Sequence, residues 1–355
     1  MNIILSTIAA LPYKKTMISV IFTGMIIIFL LIQISLQDIA NHLANLSVSW
    51  ILVGVLFYLI ANVGRSVRLK LLIPNRRTQF RRLLPIVIAH SMFTNILPAR
   101  TGELSLLFLL KKYETVSLDQ SGVALLLARV ADYVVVAFIF VAAAVASVGT
   151  FPTASRASAV IWAAIGLMLL VCVVVLTFTW WGMQFLKLSR MLVERFGLAS
   201  HRLVIFGTEN LAQIIEAFRA VQSPKRYLQV FGWSLFIWTA TYAGIYAFLW
   251  GIGVETTFPV TVVGSTFAVL SKAVPFISVG GLGAHEAGWA VGFMLVGLDK
   301  TTAISSGFAV NILTILTSIV FGILSLWSLR VQASTASVDR FQVDAAVNRG
   351  PGLDE

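Results

Sequence analysis

Long apolar stretches separated by short polar or basic segments dominate the chain. A helix that crosses the roughly 30 Å hydrocarbon core of a bilayer needs about 20 mostly apolar residues. Six stretches reach that length: 17–36, 46–64, 119–148, 158–185, 228–251 and 302–329. Two further apolar regions are interrupted. Residues 83–110 are broken by Asn95, Pro98, Arg100, Gly102 and Glu103, and residues 259–298 by Pro275, Gly280, Gly281, Gly283 and Glu286. Each interrupted region offers two apolar halves too short to cross alone. The pattern predicts an all-α polytopic membrane protein with six spanning helices and two re-entrant helical hairpins.

Composition sharpens this picture. Of 355 residues, 58% are hydrophobic and only 12% charged, with a mean hydropathy of +0.92. A soluble domain carries roughly 25% charged residues, and one aqueous core of this size cannot hide so much apolar surface. A soluble enzyme, a nucleic-acid-binding module and a disordered chain are therefore excluded. Cys172 is the single cysteine, and His42, His90, His201 and His285 are scattered without metal-ligand spacing. No disulfide framework, metal site or phosphate-binding P-loop is expected, and no cofactor. The run from Met17 to Leu36 ends in Gln37-Asp38 without a small-residue cleavage site, so it reads as a retained span.

The net charge of +11 is read first as topology. Segment 65–82 carries seven Lys or Arg residues and no acid, and segment 187–226 is also basic. Both are expected in the cytoplasm, with Lys14, Lys15, Lys111, Lys112 and Arg330. If 83–110 crossed fully, Lys111 and Lys112 would fall outside; as a hairpin dipping from the cytoplasm it keeps them inside. Treating 259–298 as a hairpin from the outer face returns Arg330 to the cytoplasm. The chain then reads span, span, hairpin, span over residues 1–150, and the same order with opposite orientation over 151–330. That is an inverted-topology repeat, an arrangement that places transporter sites at the repeat interface near the midplane. Segment 187–226 is expected to form surface-lying amphipathic helices, and 331–355 a flexible polar cytoplasmic tail. The N- and C-termini both lie on the cytoplasmic side of the plasma membrane in this scheme.

Few ionisable residues fall inside the apolar regions, and an intramembrane charge points to function or to a buried pair. In the first hairpin these are Arg100 and Glu103, beside Asn95. Arg100 is a candidate phosphate-binding group with Glu103 as partner or amine site; a pair that only closes the turn is the alternative. In the third span Ser117 and Gln120 stand at capping-box spacing. Arg129 and Asp132 follow, about 15–18 Å into the helix at ~1.5 Å per residue and three apart on one face. They serve either a ligand or helix packing. In the second hairpin, Lys272, Gly280, Gly281, Gly283 and Glu286 combine a glycine turn with an acid, mirroring the first; exposed backbone N–H groups there suit an anion. Arg65 and Arg68, where the second span meets the cytoplasm, are placed to draw in an anionic headgroup or to set topology.

The run Arg65-x-x-Arg68, then His90-Ser91-Met92-x-x-Asn95-x-x-Pro98-Ala99-Arg100-x-Gly102-Glu103, resembles the flippase-like transmembrane region of lysylphosphatidylglycerol synthases, also known from the multiple peptide resistance factor. Arg129-x-x-Asp132 and Gly280-Gly281-x-Gly283-x-x-Glu286 resemble the same family's other polar motifs, in the same order, over about residues 15–330. The resemblance implies movement of a polar-headed lipid between leaflets. The soluble aminoacyl-transferase domain of bifunctional members is missing, so lysyl-lipid synthesis is not expected of this chain and it is not expected to be an enzyme. The substrate implied is an anionic or aminoacylated phospholipid, or a polyprenyl-linked lipid. A polyprenyl-phosphate-dependent glycosyltransferase and an ion or small-solute transporter are the alternatives. Expected partners are the membrane and its lipid substrate, with an envelope or lipid-modifying enzyme and a homodimer as further candidates. Nucleic acid is not among them.

Overall fold

In the computed structural model, residues 46–73, 78–97, 101–147, 224–271 and 283–348 are described, with Ile28 and scattered positions between 159 and 195. Among the described residues the fold is all-helical, with no strand. The principal helices are α1 (Val48–Leu72), α2 (Phe80–Ile96), α3 (Thr101–Glu114), α4 (Leu118–Ala146), α5 (Pro224–Gly251), α6 (Phe258–Ser271), α7 (Ala284–Leu295) and α8 (Lys300–Asn348).

Three of these meet both length and hydropathy requirements for a membrane span: Val48–Leu72, Leu118–Ala146 and Lys300–Ala333 within α8. They correspond to the expected spans 46–64, 119–148 and 302–329. The expected span 228–251 forms α5, 28 residues long. Trp233, Trp238, Tyr242, Tyr246 and Trp250 give that helix a polar-tipped aromatic character and lower its hydropathy. The expected span 17–36 and most of 158–185 and 187–226 lie outside the described residues. Ile161, Ile165 and Met168, at helical spacing, pack into the larger apolar core.

Two boundaries differ from the sequence pattern. α1 continues to Leu72, so Arg65 and Arg68 belong to the helix rather than to the basic loop after it. Their burial is offset by polar partners from α4 and α5, which hydropathy along one segment does not register. α8 likewise continues past Arg330 to Asn348.

Each interrupted region forms a pair of short antiparallel helices. In the first, His90 of α2 meets Ser105 of α3 and Gly102 packs against Phe93. A Cβ on Gly102 would strike the Phe93 carbonyl oxygen, so only glycine permits this approach. In the second pair, Gly292 of α7 packs just as tightly on the Gly264 carbonyl of α6. α1 and α5 also run antiparallel: Ser47 N–H donates to Gly251 O at one end, and Arg68 reaches Ser234 at the other. Caps define several helix starts. Ser117 Oγ accepts from the Gln120 N–H, and Asp299 Oδ1 accepts from the Thr302 N–H at the start of α8.

Two larger apolar cores form among the described residues. One joins the ends of α2 and α3 to the starts and ends of neighbours through Leu69, Leu83, Ile86, Leu106, Leu110, Ala124 and Leu329. The other gathers Phe140, Tyr242, Leu249, Val263, Trp289, Phe293 and Val310 from α4 to α8. Outward-facing Leu52, Leu56, Phe138, Leu316, Val320, Ile323 and Trp327 are exposed to an extent that water does not favour but lipid does.

Candidate functional site

Between the two cores lies a cavity of about 360 Å³. Leu69, Val87 and Leu106 of one core and Phe248, Ala268 and Val310 of the other form its apolar floor and roof. The rest of the wall is polar. Six sequence-predicted site residues meet there: Arg65, Arg68, Asn95, Glu103, Arg129 and Asp132.

The most buried element is an ion pair between α1 and α4. Arg68 and Asp132, 6% and 7% exposed, form a bidentate salt bridge. Arg68 Nη1 also donates to Ser234 Oγ at 2.7 Å, and Trp238 Nε1 donates to Asp132 Oδ1 at 2.9 Å. The pair therefore ties α1, α4 and α5 together. Such a pair resists disruption because removal of either partner strands the other charge in a low-dielectric interior.

Arg129 sits closer to the open part of the cavity. Its Nη2 is 3.4 Å from Glu103 Oε1, and its Nη1 is 3.9 Å from Asp132 Oδ2. The i, i+3 pair read from sequence is thus the weaker of its two contacts; the stronger joins α4 to the first turn of α3. Arg129 Nε is buried without a hydrogen-bond partner among the described residues, as is Tyr58 Oη on the α1 wall. Arg65 donates from Nη2 to Thr241 Oγ1 at 3.3 Å and makes no salt bridge to a carboxylate among the described residues.

α2 contributes a hydrogen-bonded rim. His90 Nδ1 lies 3.0 Å from Ser105 Oγ, which donates to the Gly102 carbonyl at 2.6 Å. Ser91 Oγ donates to Asn62 Oδ1, and Asn62 Nδ2 donates back to the Tyr58 carbonyl. These contacts fix the α2 face beside the charged wall.

Glu286 stands apart. It is fully buried and does not line the cavity, although its neighbour His285 does. Its Oε2 accepts from the Gly283 N–H at 2.6 Å, and its Oε1 accepts from Asn311 Nδ2 at 2.5 Å. Gly283, at φ +80°, supplies a left-handed turn before α7 that other residues adopt only with strain. Glu286 and Gly283 thus build the second hairpin rather than face the cavity. Arg100, Lys272, Gly280 and Gly281 lie outside the described residues.

Sequence reasoning did not single out Tyr58, His90, Trp238, Thr241 or Asn311 as site residues. Asn311 carried a signal: it is the only amide side chain within the apolar stretch 302–329. Trp238 and Thr241 gave none, since both are ordinary in an aromatic-rich span.

Apolar outer surfaces on span-length helices, a charged cavity held between two apolar cores and helix hairpins that end beside it define an integral membrane protein with an internal polar site. Residues 16–322 match the family described as the lysylphosphatidylglycerol synthase TM region, and the chain belongs to that family. None of the curated proteins matches it.

Proposed function

We propose that this protein is a lipid translocase, which carries a polar headgroup between leaflets through the charged cavity while the acyl chains stay in the bilayer. The family supports a membrane protein related to lipid flippases. The single observation that carries the reading is the cavity itself: among the described residues, three arginines and two carboxylates surround about 360 Å³ within a largely apolar bundle. Intramembrane charges of this kind mark substrate paths.

An inverted-topology repeat is the architecture we assign, and the packing of the helices supports it. Mapping α1–α4 onto α5–α8 pairs α2·α3 with α6·α7, α3·α4 with α7·α8, α2·α8 with α4·α6, α1·α2 with α5·α6 and α1·α4 with α5·α8, all observed contacts. α1·α5 maps onto itself. The counterpart of α4·α5 is thinner, the Tyr58–Phe321 ring contact at 6.4 Å. In this arrangement α2/α3 and α6/α7 are re-entrant hairpins entering from opposite faces, the six spans include 17–36 and 158–185, and both termini lie in the cytoplasm of a plasma-membrane protein. The substrate is a polar-headed phospholipid or polyprenyl-linked lipid, and the protein acts by transport rather than by covalent chemistry.

The test is reconstitution of purified protein into vesicles that carry a headgroup-labelled phosphatidylglycerol, with chemical quenching of the outer leaflet. Quenching beyond the outer-leaflet share, relative to protein-free vesicles, is expected. Retention of the inner-leaflet signal, together with uptake of small solutes by the same vesicles, would replace the lipid translocase with a solute transporter.

A further inference from the structure

The two halves of the cavity differ in charge, and the difference follows equivalent positions. Glu103 is the third residue of α3 and Glu286 the third of α7. The twelfth residue of α4 is Arg129, and that of α8 is Asn311. The fifteenth is Asp132 in α4 and Thr314 in α8. Where one half joins Glu103 to Arg129, the other joins Glu286 to Asn311. The eighteenth residues of α1 and α5, Arg65 and Thr241, bond to each other across the bundle. Among the described residues, every charged residue lining the cavity therefore comes from α1, α3 or α4, while α6, α7 and α8 contribute Ser265, His285, Asn311 and Thr314.

The charge balance is equally one-sided. Arg65, Arg68 and Arg129 face Glu103 and Asp132. Asp132 is committed to Arg68, and Glu103 lies against Arg129. In sequence, residues 98–100 and 272–282 include Arg100 and Lys272 but neither Asp nor Glu. Glu286, the remaining carboxylate nearby, holds Gly283 and Asn311 and does not reach the cavity. A headgroup bearing an ammonium group would enter a net-cationic chamber with its carboxylates already engaged. A phosphate would meet Arg65, which makes no salt bridge to a carboxylate among the described residues, the Nε of Arg129, buried without a hydrogen-bond partner among them, and the hydroxyl of Tyr58 on the same wall. Charged groups in such a low-dielectric site discriminate strongly by sign.

From this asymmetry we infer that the cavity selects a net-anionic phosphate headgroup whose remaining part is uncharged, and rejects aminoacylated, net-cationic headgroups. The phosphate sits on the arginine wall of α1 and α4, and the uncharged hydroxyl-bearing part faces Ser265, Asn311 and Thr314. This inference rests on the lipid-translocase reading but is tested by binding, so the two fail separately.

The experiment is native mass spectrometry of the purified full-length protein with phosphatidylglycerol, lysyl-phosphatidylglycerol and soluble glycerol 3-phosphate as probes. Wild-type protein is expected to retain phosphatidylglycerol at least about tenfold more tightly than the lysyl form, a difference of about 1.4 kcal/mol. Arg65→Gln should weaken phosphatidylglycerol binding, and Arg65→Lys should restore much of it. Thr314→Asp, which adds a carboxylate to the cavity lining at the position in α8 equivalent to Asp132 in α4, should shift the preference toward the lysyl lipid. Equal or tighter binding of the lysyl form, or no binding of either lipid, overturns the inference. Equal retention of glycerol 3-phosphate and phosphatidylglycerol overturns its lipid part and assigns the site to a soluble anion. Anionic preference without leaflet transfer would uphold the inference and remove the translocase reading. If Thr314→Asp does not remain monodisperse, Arg65→Gln against Arg65→Lys still decides.

Discussion

At the residue scale, the arginines divide by the partners they keep. Arg68 is bonded to Asp132 and Ser234, so it acts as a fastener among α1, α4 and α5. Arg68→Ala should leave Asp132 buried without its bidentate partner, with only the Trp238 hydrogen bond and the 3.9 Å Arg129 contact remaining, at a cost of about 3 kcal/mol. A much lower unfolding temperature in detergent is the expected result. The double substitution Arg68→Leu with Asp132→Leu should recover most of the loss, because both charges leave together. Arg65 and Arg129 have looser partners and face the cavity, so neutral replacements there should cost little stability. Sequence alone singled out Glu103, Arg129 and Asp132, because charge inside an apolar run is conspicuous, and Arg65 and Arg68 as basic residues where a span meets the cytoplasm. It could not pair them: Glu103 with Arg129 and Arg68 with Asp132 are tertiary contacts between different helices. Nor could it separate Glu286 from the cavity, since an acid after a glycine turn reads alike whether it caps a helix or faces a ligand.

At the scale of the element, the hairpins depend on backbone approach. Gly102→Val should force α3 away from the Phe93 carbonyl and displace Glu103 with it. Leaflet transfer is expected to fall sharply while the protein remains helical by circular dichroism. The start of α8 offers a milder test. Hydrogen bonds from Thr302 hold the Asp299 carboxyl below its usual range. A depressed carboxylate lends stability above its unfolded titration range, and that stability is lost as pH falls through the lower folded value. Asp299→Ala should therefore destabilise α8 by about 1 kcal/mol at neutral pH. The gap between variant and wild type should close in acid. The interrupted apolar pattern made both hairpins legible, and Ser117 and Gln120 marked the start of α4. The true end of α1 was not legible, because the basic residues after Gly64 look like a loop until Asp132, Ser234 and Thr241 are seen to receive two of them.

On the scale of the whole molecule, we propose two inverted halves with unequal charge around one chamber. Orientation is testable through the chain's single cysteine: with Cys172 replaced, cysteines introduced at Lys111 and Asp299 should label from opposite sides of the membrane. Labelling from the same side would contradict the inverted arrangement. The all-helical membrane class was legible in the hydropathy pattern, and the order of spans and breaks is what suggested the repeat that we propose. The electrical asymmetry was not legible, because it depends on which residues of α4 and α8 occupy equivalent places. The most direct test of the central claim compares leaflet transfer by wild-type protein with transfer by Glu103→Gln and Arg129→Gln in phosphatidylglycerol vesicles. Rapid transfer by the wild type and a loss of at least about tenfold, ~1.4 kcal/mol of barrier, in both variants, with folding intact, are the expected results. Transfer at the wild-type rate in both would show that lipid does not pass through this cavity.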